Sequence, residues 1–407
     1  MLRFIVAVVF VAPVASVLAQ RSPLDYPQWR GQNRDGSAST FIEPASWPDT
    51  LTRRWRVEVG EGYATPLVVG GTVFTFTRRD GHEVMTALDA TTGEERWRSA
   101  YPAPYMPSSP TAAHGSGPKA TPLFHEGKIF TLGITGRVTA FEAANGALLW
   151  QTPAPAEPPY FSAASSPVGG PGIVVVHPGN YGPLTAFDTG TGAVKWVAGA
   201  GGFFMSPIIV TLAGATQLVS VTQQGVIGVS PTDGRLLWDY PWAGGSMGGT
   251  MPVLYGETIV VSASNTGTTA FKPISRDGST WVTETVWETT DVSMYLSNPV
   301  VIGDTLYGLS QRASGRFFAL DARNGEILWL GPPREAANTA VVKARDLLFF
   351  LNDDGELIVA RASRTAFNPL RRYTVADSAT WSQPAISGER IFVKDVSTVA
   401  LWTLDES

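Results

Sequence analysis

From Arg53 to the end, short apolar runs alternate with polar turns, and four such runs recur about every 45 residues. In the first unit they are Pro66–Val69, Thr72–Thr77, Val84–Asp89 and Glu95–Ser99. The Gly-, Asn- and Asp-bearing segments between them are tight-turn signals, because Gly and Asn tolerate positive φ. Each unit reads as a four-stranded antiparallel meander. Units open at Thr65-Pro66, Thr121-Pro122, Ser166-Pro167, Ser206-Pro207, Met251-Pro252, Asn298-Pro299 and Gln383-Pro384, with a degenerate opening at Thr339-Ala340. Repetition of one supersecondary unit at this period predicts a β-propeller.

A second pattern marks the turn between the third and fourth strand of a unit. Ala319, Asp321, Gly325 and Trp329 have the spacing A-x-D-x-x-x-G-x-x-x-W, which recurs at Ala87, Asp89, Gly93 and Trp97 and at Ala186, Asp188, Gly192 and Trp196. Ala140, Glu142, Gly146 and Trp150 form a further copy, and Gly228, Gly234 and Trp238 another, with Ser230 in the acidic slot. Buried Trp covers about 150–250 Å² of apolar surface, so the motif belongs to the scaffold rather than to chemistry.

The last unit holds Pro384–Ser387, Arg390–Lys394 and Thr398–Leu404 and lacks a fourth strand, whereas Arg53–Val59 is a Trp-bearing strand with no unit before it. Pairing the two closes the ring and hides both sheet edges. The expectation is an all-β, eight-bladed propeller over residues 52–407; seven blades remain open, because Arg361–Tyr373 carries no Asp, Gly or Trp in register. Tyr373 is expected to take the place of that Trp.

Residues 1–19 have the form of a secretory leader: Arg3, the apolar stretch Phe4–Val11, and Val17-Leu18-Ala19 before Gln20. Residues 20–51 fit no unit. This lead segment, with Tyr26, Trp29 and Gly36, is either a strap across the outside of the fold or a plug or lid over a cavity. No later apolar run reaches 18 residues, so no membrane-spanning helix is expected. The chain has 407 residues, a formal net charge of −5 and no Cys. That charge argues against a nucleic-acid partner. The absence of Cys means no disulfide and no acylated anchor residue, and the expectation is a soluble, monomeric periplasmic or secreted protein.

The units resemble pyrroloquinoline quinone (PQQ) repeats, the β-propeller repeats with a tryptophan-docking motif, across residues 52–407. The resemblance implies that each docking Trp packs between blades against the Gly of the neighbouring motif. It brings in three groups: the quinoprotein alcohol dehydrogenases, which bind PQQ and calcium; the BamB-like propellers, which bind proteins and no cofactor; and exported bacterial propellers of unknown role. The quinoproteins stack PQQ on a vicinal cysteine disulfide and hold calcium with a Glu, Asn and Asp set, and neither maps onto this chain. The lead segment and Gly115–Pro122 look most like the third group.

No catalytic motif stands out. Gly244-Gly245-Ser246-Met247-Gly248 matches G-x-S-x-G, but a strand rather than a helix should follow it. His82, His114, His125 and His177 have no metal-ligand spacing. Asn352–Glu356 reads as a hairpin turn rather than a calcium loop. Two features remain as candidate binding elements. One is the long loop Tyr101–Ala120, with His114, Ser116 and Lys119. The other is the aromatic and Met content of the connections leading into each first strand, namely Tyr63, Phe161, Phe203, Met205, Trp242, Met294, Tyr295 and Trp381, joined by Phe204 and Met247. These connections should converge on one mouth of the central channel, giving either a site for a peptide or planar ligand or a set of plugging side chains. The favoured reading is a non-enzymatic scaffold that binds an envelope or extracellular protein or peptide there, without a cofactor. The alternative is a PQQ- and calcium-dependent oxidoreductase.

Overall fold

A computed structural model describes Ser22, residues 25–246 and residues 248–405; the expected leader at 1–19 and Met247 lie outside the described residues. The described chain forms eight four-stranded antiparallel sheets, the blades of a propeller, in which strand order follows chain order in seven. Blade 1 consists of Leu67–Val69, Thr72–Arg79, His82–Asp89 and Glu95–Pro102. The eighth is the composite expected from the sequence. Thr52–Glu58 pairs antiparallel with Thr398–Thr403, so the oldest and newest parts of the chain share one sheet. First strands of neighbouring blades approach one another around the axis, and fourth strands face outward.

Six tryptophans dock blade on blade. Trp55, Trp97, Trp150, Trp196 and Trp287 lie over Gly93, Gly146, Gly192, Gly234 and Gly325 of the next blade. Each indole Nε1 donates to a backbone carbonyl there: Ala90, Ala143, Thr189, Pro231 and Ala322. Trp329 donates likewise to Ser363 O at 2.8 Å. At Gly325, φ is +76° and a Cβ would sit 2.6 Å from the Trp287 ring, so both backbone and packing demand glycine. The motif Asp does a different job: Asp89 Oδ1 accepts from the Thr91 and Thr92 amides, and Asp188 Oδ1 from Gly190 and Thr191, which closes the hairpin turn inside the blade.

Two expectations about docking are corrected. Trp238 does not reach a neighbouring glycine. Blade 5 carries the longer hairpin Gly267–Ser275 and Trp281–Thr289 in place of the short motif turn, and the Trp238 indole donates instead to Gln217 Oε1 of its own blade at 2.6 Å. In blade 7 the docking position is Arg371, not Tyr373. The bulge that precedes each docking Trp falls here between Val359 and Ala360, and Val359 pairs with Arg371. Blade 8 has no hairpin turn to dock on, because its outer strands are joined by no loop. The lead segment fills that place: Arg371 donates to Trp47 O and the Tyr373 hydroxyl to Pro48 O.

The polar residues that precede most opening prolines have a structural role that the sequence reading left unassigned. Gln383 N donates to Thr65 Oγ1, Thr65 N to Thr121 Oγ1, Thr121 N to Ser166 Oγ and Ser166 N to Ser206 Oγ, and Met251 N to Asn298 Oδ1. These bonds stitch neighbouring first strands together at one end of the channel.

The lead segment is a plug in its first part, through Ala38, and a strap in its second, where Arg361 holds Glu43 and the outer strand of blade 7 holds Trp47 and Pro48. It enters the channel at the far end, where Gly70 N donates to Asp25 Oδ1, and pairs Tyr26 with Val68 of blade 1. Phe124 N of blade 2 donates to Pro27 O, and the Tyr26 hydroxyl to Gln383 Oε1 of blade 8. The segment then turns, with Arg30 bonded to Asn298 O and Pro299 O of blade 6 and Arg34 to Ser166 O and Pro167 O of blade 3. It returns beside blade 7, where Ser37 bridges to Lys343. A Cβ on Gly36 would lie 2.7 Å from Val300, which measures how closely the plug is packed. Its backbone satisfies inward-facing groups of the first strands that a hollow channel would leave to water.

His177 shows how polar groups are held between blades. It is buried, with Nδ1 against Gly182 O at 3.0 Å and Nε2 against Ser220 Oγ of blade 4 at 2.7 Å. Burial pulls its pKa down to about 4, from an ordinary value near 6.5. The unfolded chain therefore binds the extra proton between those values, and stability falls as pH falls through that window. The expected contribution is a loss of up to about 3 kcal/mol between pH 7 and 4. His177→Gln should remove that part of the slope when denaturation midpoints are compared across pH. An unchanged slope would mean His177 is not kept neutral.

Candidate functional site

At the end of the channel opposite the plug's entry lies a cup of about 310 Å³. All eight connections between blades contribute to it. Tyr63 comes from the link between blades 8 and 1, His114 and Lys119 from the next, then Phe161 and Ser166, then Phe204, Met205 and Ser206. Met251, then Tyr295, Leu296 and Asn298, then Asn338, and finally Trp381 complete the wall, and Trp29 of the plug lies at the floor. The volume sits at the small end of the roughly 300–1,000 Å³ range of ligand pockets.

The reason these loops converge lies in the repeat, since every connection from a fourth strand to the next first strand must cross the same face. The long loop after blade 1 adds a 3-10 helix, Ser109–His114, which leans over the mouth. His114 is held edge-on between Trp381, at 4.5 Å between ring centroids, and Tyr63, at 6.3 Å. Burial and the neighbouring Lys119 lower the His114 pKa, which favours the neutral ring. Burial also pulls Lys119 down to about 8. On the opposite wall Phe161 and Phe204 meet edge to face at 6.1 Å. Asn338 is positioned by Asp353, whose Oδ1 accepts the Ala337 and Asn338 amides.

Of the thirteen candidates from the sequence, Tyr63, His114, Lys119, Phe161, Phe204, Met205, Tyr295 and Trp381 line the cup, and Met247 lies outside the described residues. Four do not. Ser116 is at the outer rim, 3.5 Å from Glu61 Oε2. Phe203 stacks on Tyr181 at 4.9 Å and backs Phe204 from outside. Trp242 lies against Gly244 and the blade 4 core. Met294 is fully buried among Val292, Leu306 and Phe318, on the core side of its loop while Tyr295 takes the cup side. The polar lining residues Asn298 and Asn338 carry no sequence signal of ligand contact beyond their place at a unit opening.

Other motifs resolve as scaffold. Ala243–Ser246 is a short 3-10 turn in which Ser246 Oγ donates weakly to Ala243 O. Asn352–Glu356 is the turn between Leu347–Asn352 and Glu356–Arg361. Among the described residues no three His, Cys, Asp or Glu side chains gather in a way that would hold a metal ion. Among the described residues no carboxylate lines the cup, and the sequence has no Cys. The residues present therefore do not fit PQQ with calcium.

A family model described as outer membrane protein assembly factor BamB matches residues 48–114 and 81–330. Among curated proteins, outer membrane protein assembly factor BamB of Shewanella oneidensis is 26% identical over 326 residues, 78% of this chain and 69% of that protein. The Yersinia pestis protein of the same name is 25% identical over 325 residues, 77% and 68% of the two chains. Among solved structures, BamB from Moraxella catarrhalis superposes with a TM-score of 0.61 at 15% identity, over 88% of this chain and 99% of that one. Quinohemoprotein alcohol dehydrogenase from Comamonas testosteroni gives 0.68 at 15% identity, over 96% and 82%. At these identities the solved structures bear on the fold alone.

Proposed function

This chain belongs to the PQQ-repeat β-propeller family of outer membrane protein assembly factor BamB, and from that premise we propose that it is a non-enzymatic scaffold binding a protein or peptide at the channel mouth. The observation that carries the reading is the cup: eight loops converge on it, its walls are aromatic, and its floor is closed. Exposed rigid aromatics in a concave site are the groups that dominate protein recognition. We place the protein in the cell envelope or outside the cell as a soluble monomer after removal of residues 1–19. Its partner is an envelope or extracellular polypeptide. The repeats from residue 52 onward make up the propeller domain, and the lead segment serves it as a plug in its first part and a strap in its second.

The dehydrogenase alternative shares the fold, but the donor set in the cup does not match its cofactor. The two readings separate in one pair of measurements. The scaffold reading expects a specific envelope protein to be retained by the immobilised wild type, with roughly 30-fold weaker binding to Trp381→Ala, the loss of a hot spot worth about 2 kcal/mol. It also expects no quinone absorbance shift with PQQ and calcium. Retention unaffected by Trp381→Ala, or dye-coupled alcohol oxidation by the loaded protein, would overturn it.

A further inference from the structure

The cup is blind. Its floor is the tip of the plug, and that tip is fixed to opposite sides of the channel by Arg30 on blade 6 and Arg34 on blade 3. A polypeptide cannot thread through; only a chain end or a projecting group can enter.

Among the described residues that line the cup, Lys119 is the one ionised side chain. Arg30 and Arg34 are buried behind the lining, bonded to the backbone carbonyls of Asn298 and Ser166. The two guanidinium groups donate to backbone carbonyls and to Gln28 Oε1, and no carboxylate hydrogen-bonds either one. The nearby Asp35 is engaged by Lys343 at 3.0 Å. Lys119 itself has no hydrogen-bond or ion-pair partner among the described residues. Glu61 stands at the outer rim beside Ser116 and does not line the cup.

The neutral polar groups of the lining are biased the same way. Ser166 Oγ and Ser206 Oγ each accept a backbone amide from the neighbouring blade, and Asn298 Oδ1 accepts Met251 N. The Asn338 side-chain oxygen is likewise taken, by the Ser297 hydroxyl. One acceptor position on each of these groups is occupied in holding the blades together, while the Ser166 and Ser206 hydroxyl hydrogens and the Asn338 amide N–H remain for a ligand. The Lys119 ammonium together with these donors favours an anion over a second ammonium beside it.

We propose that the cup captures a carboxylate borne on an apolar, ring-bearing group, with the carboxylate on the Lys119 ammonium and the ring against Trp381, Tyr295 and Phe161, and that the source is the C-terminal residue of a polypeptide. This rests on the mouth being the peptide site and names which part of the peptide it takes. A chain terminus satisfies both constraints at once, since it ends in a carboxylate and needs no exit below. An internal segment brings a carboxylate only on an Asp or Glu side chain, apart from the ring, and must fold back out of the mouth, and an N-terminus brings the wrong charge.

The test uses the full-length protein and three probes followed by calorimetry: N-acetyl-Ala-Ala-Phe as free acid, the same peptide as C-terminal amide, and N-acetyl-phenylalanine. The free acid should bind at least tenfold more tightly than the amide. Lys119→Met should erase that ratio and Lys119→Arg should keep it. N-acetyl-phenylalanine binding as tightly as the peptide acid, with the same Lys119 dependence, upholds the chemistry and makes a small free carboxylate the source. Equal binding of acid and amide, lost in Trp381→Ala, overturns the carboxylate inference while leaving the mouth as a peptide site. Binding by none of the three probes overturns the inference, and the mouth reading falls with it only if the envelope protein retained in the capture experiment is also indifferent to Trp381→Ala.

Discussion

Deletion of residues 52–60 should yield a chain that aggregates on expression and shows no cooperative unfolding transition. The segment supplies a whole outer strand, paired along its length with Thr398–Thr403. It also supplies Trp55, the docking residue that joins blade 8 to blade 1 through Gly93 and Ala90 O. Arg56 bonds Asp377 and Asp395, and Gly60 O is one of three carbonyls that hold the buried Lys394 ammonium, at 3.1 Å. Losing a buried Trp alone costs about 3–5 kcal/mol, against a total stability of about 5–15 kcal/mol for a typical domain. The deletion also exposes an edge strand that templates intermolecular pairing. Size-exclusion chromatography and scanning calorimetry check this. A monomer with one sharp transition would show that the composite blade is dispensable.

Replacing a docked tryptophan should be the most damaging single change. Trp287→Ala removes an indole that is 7% exposed, empties the surface over Gly325 and leaves Ala322 O without the donor that stands 2.9 Å away. The expected loss is about 3–5 kcal/mol, read from the shift in the denaturant midpoint. Trp287→Phe keeps part of the apolar contact and loses the hydrogen bond, so it should cost less than Trp287→Ala. A loss below about 1 kcal/mol for the alanine variant would mean that blade contacts elsewhere carry the junction between blades 5 and 6.

The architecture was legible because a propeller writes its period into the chain. Turn glycines, opening prolines and docking tryptophans fall at fixed offsets, and even the unpaired strand before the first unit pointed to its partner at the other end. What escaped was whatever the period does not set. Trp238 has the motif spacing, yet its docking surface belongs to the next unit, where the longer hairpin ending in Trp281–Thr289 replaced it. Arg371 occupies a docking position because the blade beyond it has no turn, a fact about chain ends rather than local sequence. The plug was read as either strap or plug because its partners are carbonyls of Asn298, Pro299, Ser166 and Pro167, which any residue can provide. In the candidate site the repeat told where the loops would gather but not which side chain of a pair turns inward, so Met294 was named with Tyr295 although only the latter faces the cup.

The plug also sets an order of events. Tyr26 bonds Gln383, 357 positions later, and Thr52–Glu58 waits for Thr398–Thr403. At synthesis rates of about 5–20 residues per second, those partners emerge roughly 20–70 s apart. Blades 1 to 7 can form as local meanders in that interval, since their contacts are short in sequence. The first native segment to leave the ribosome is thus among the last to be placed, and the cup gains its floor only when the whole chain is available.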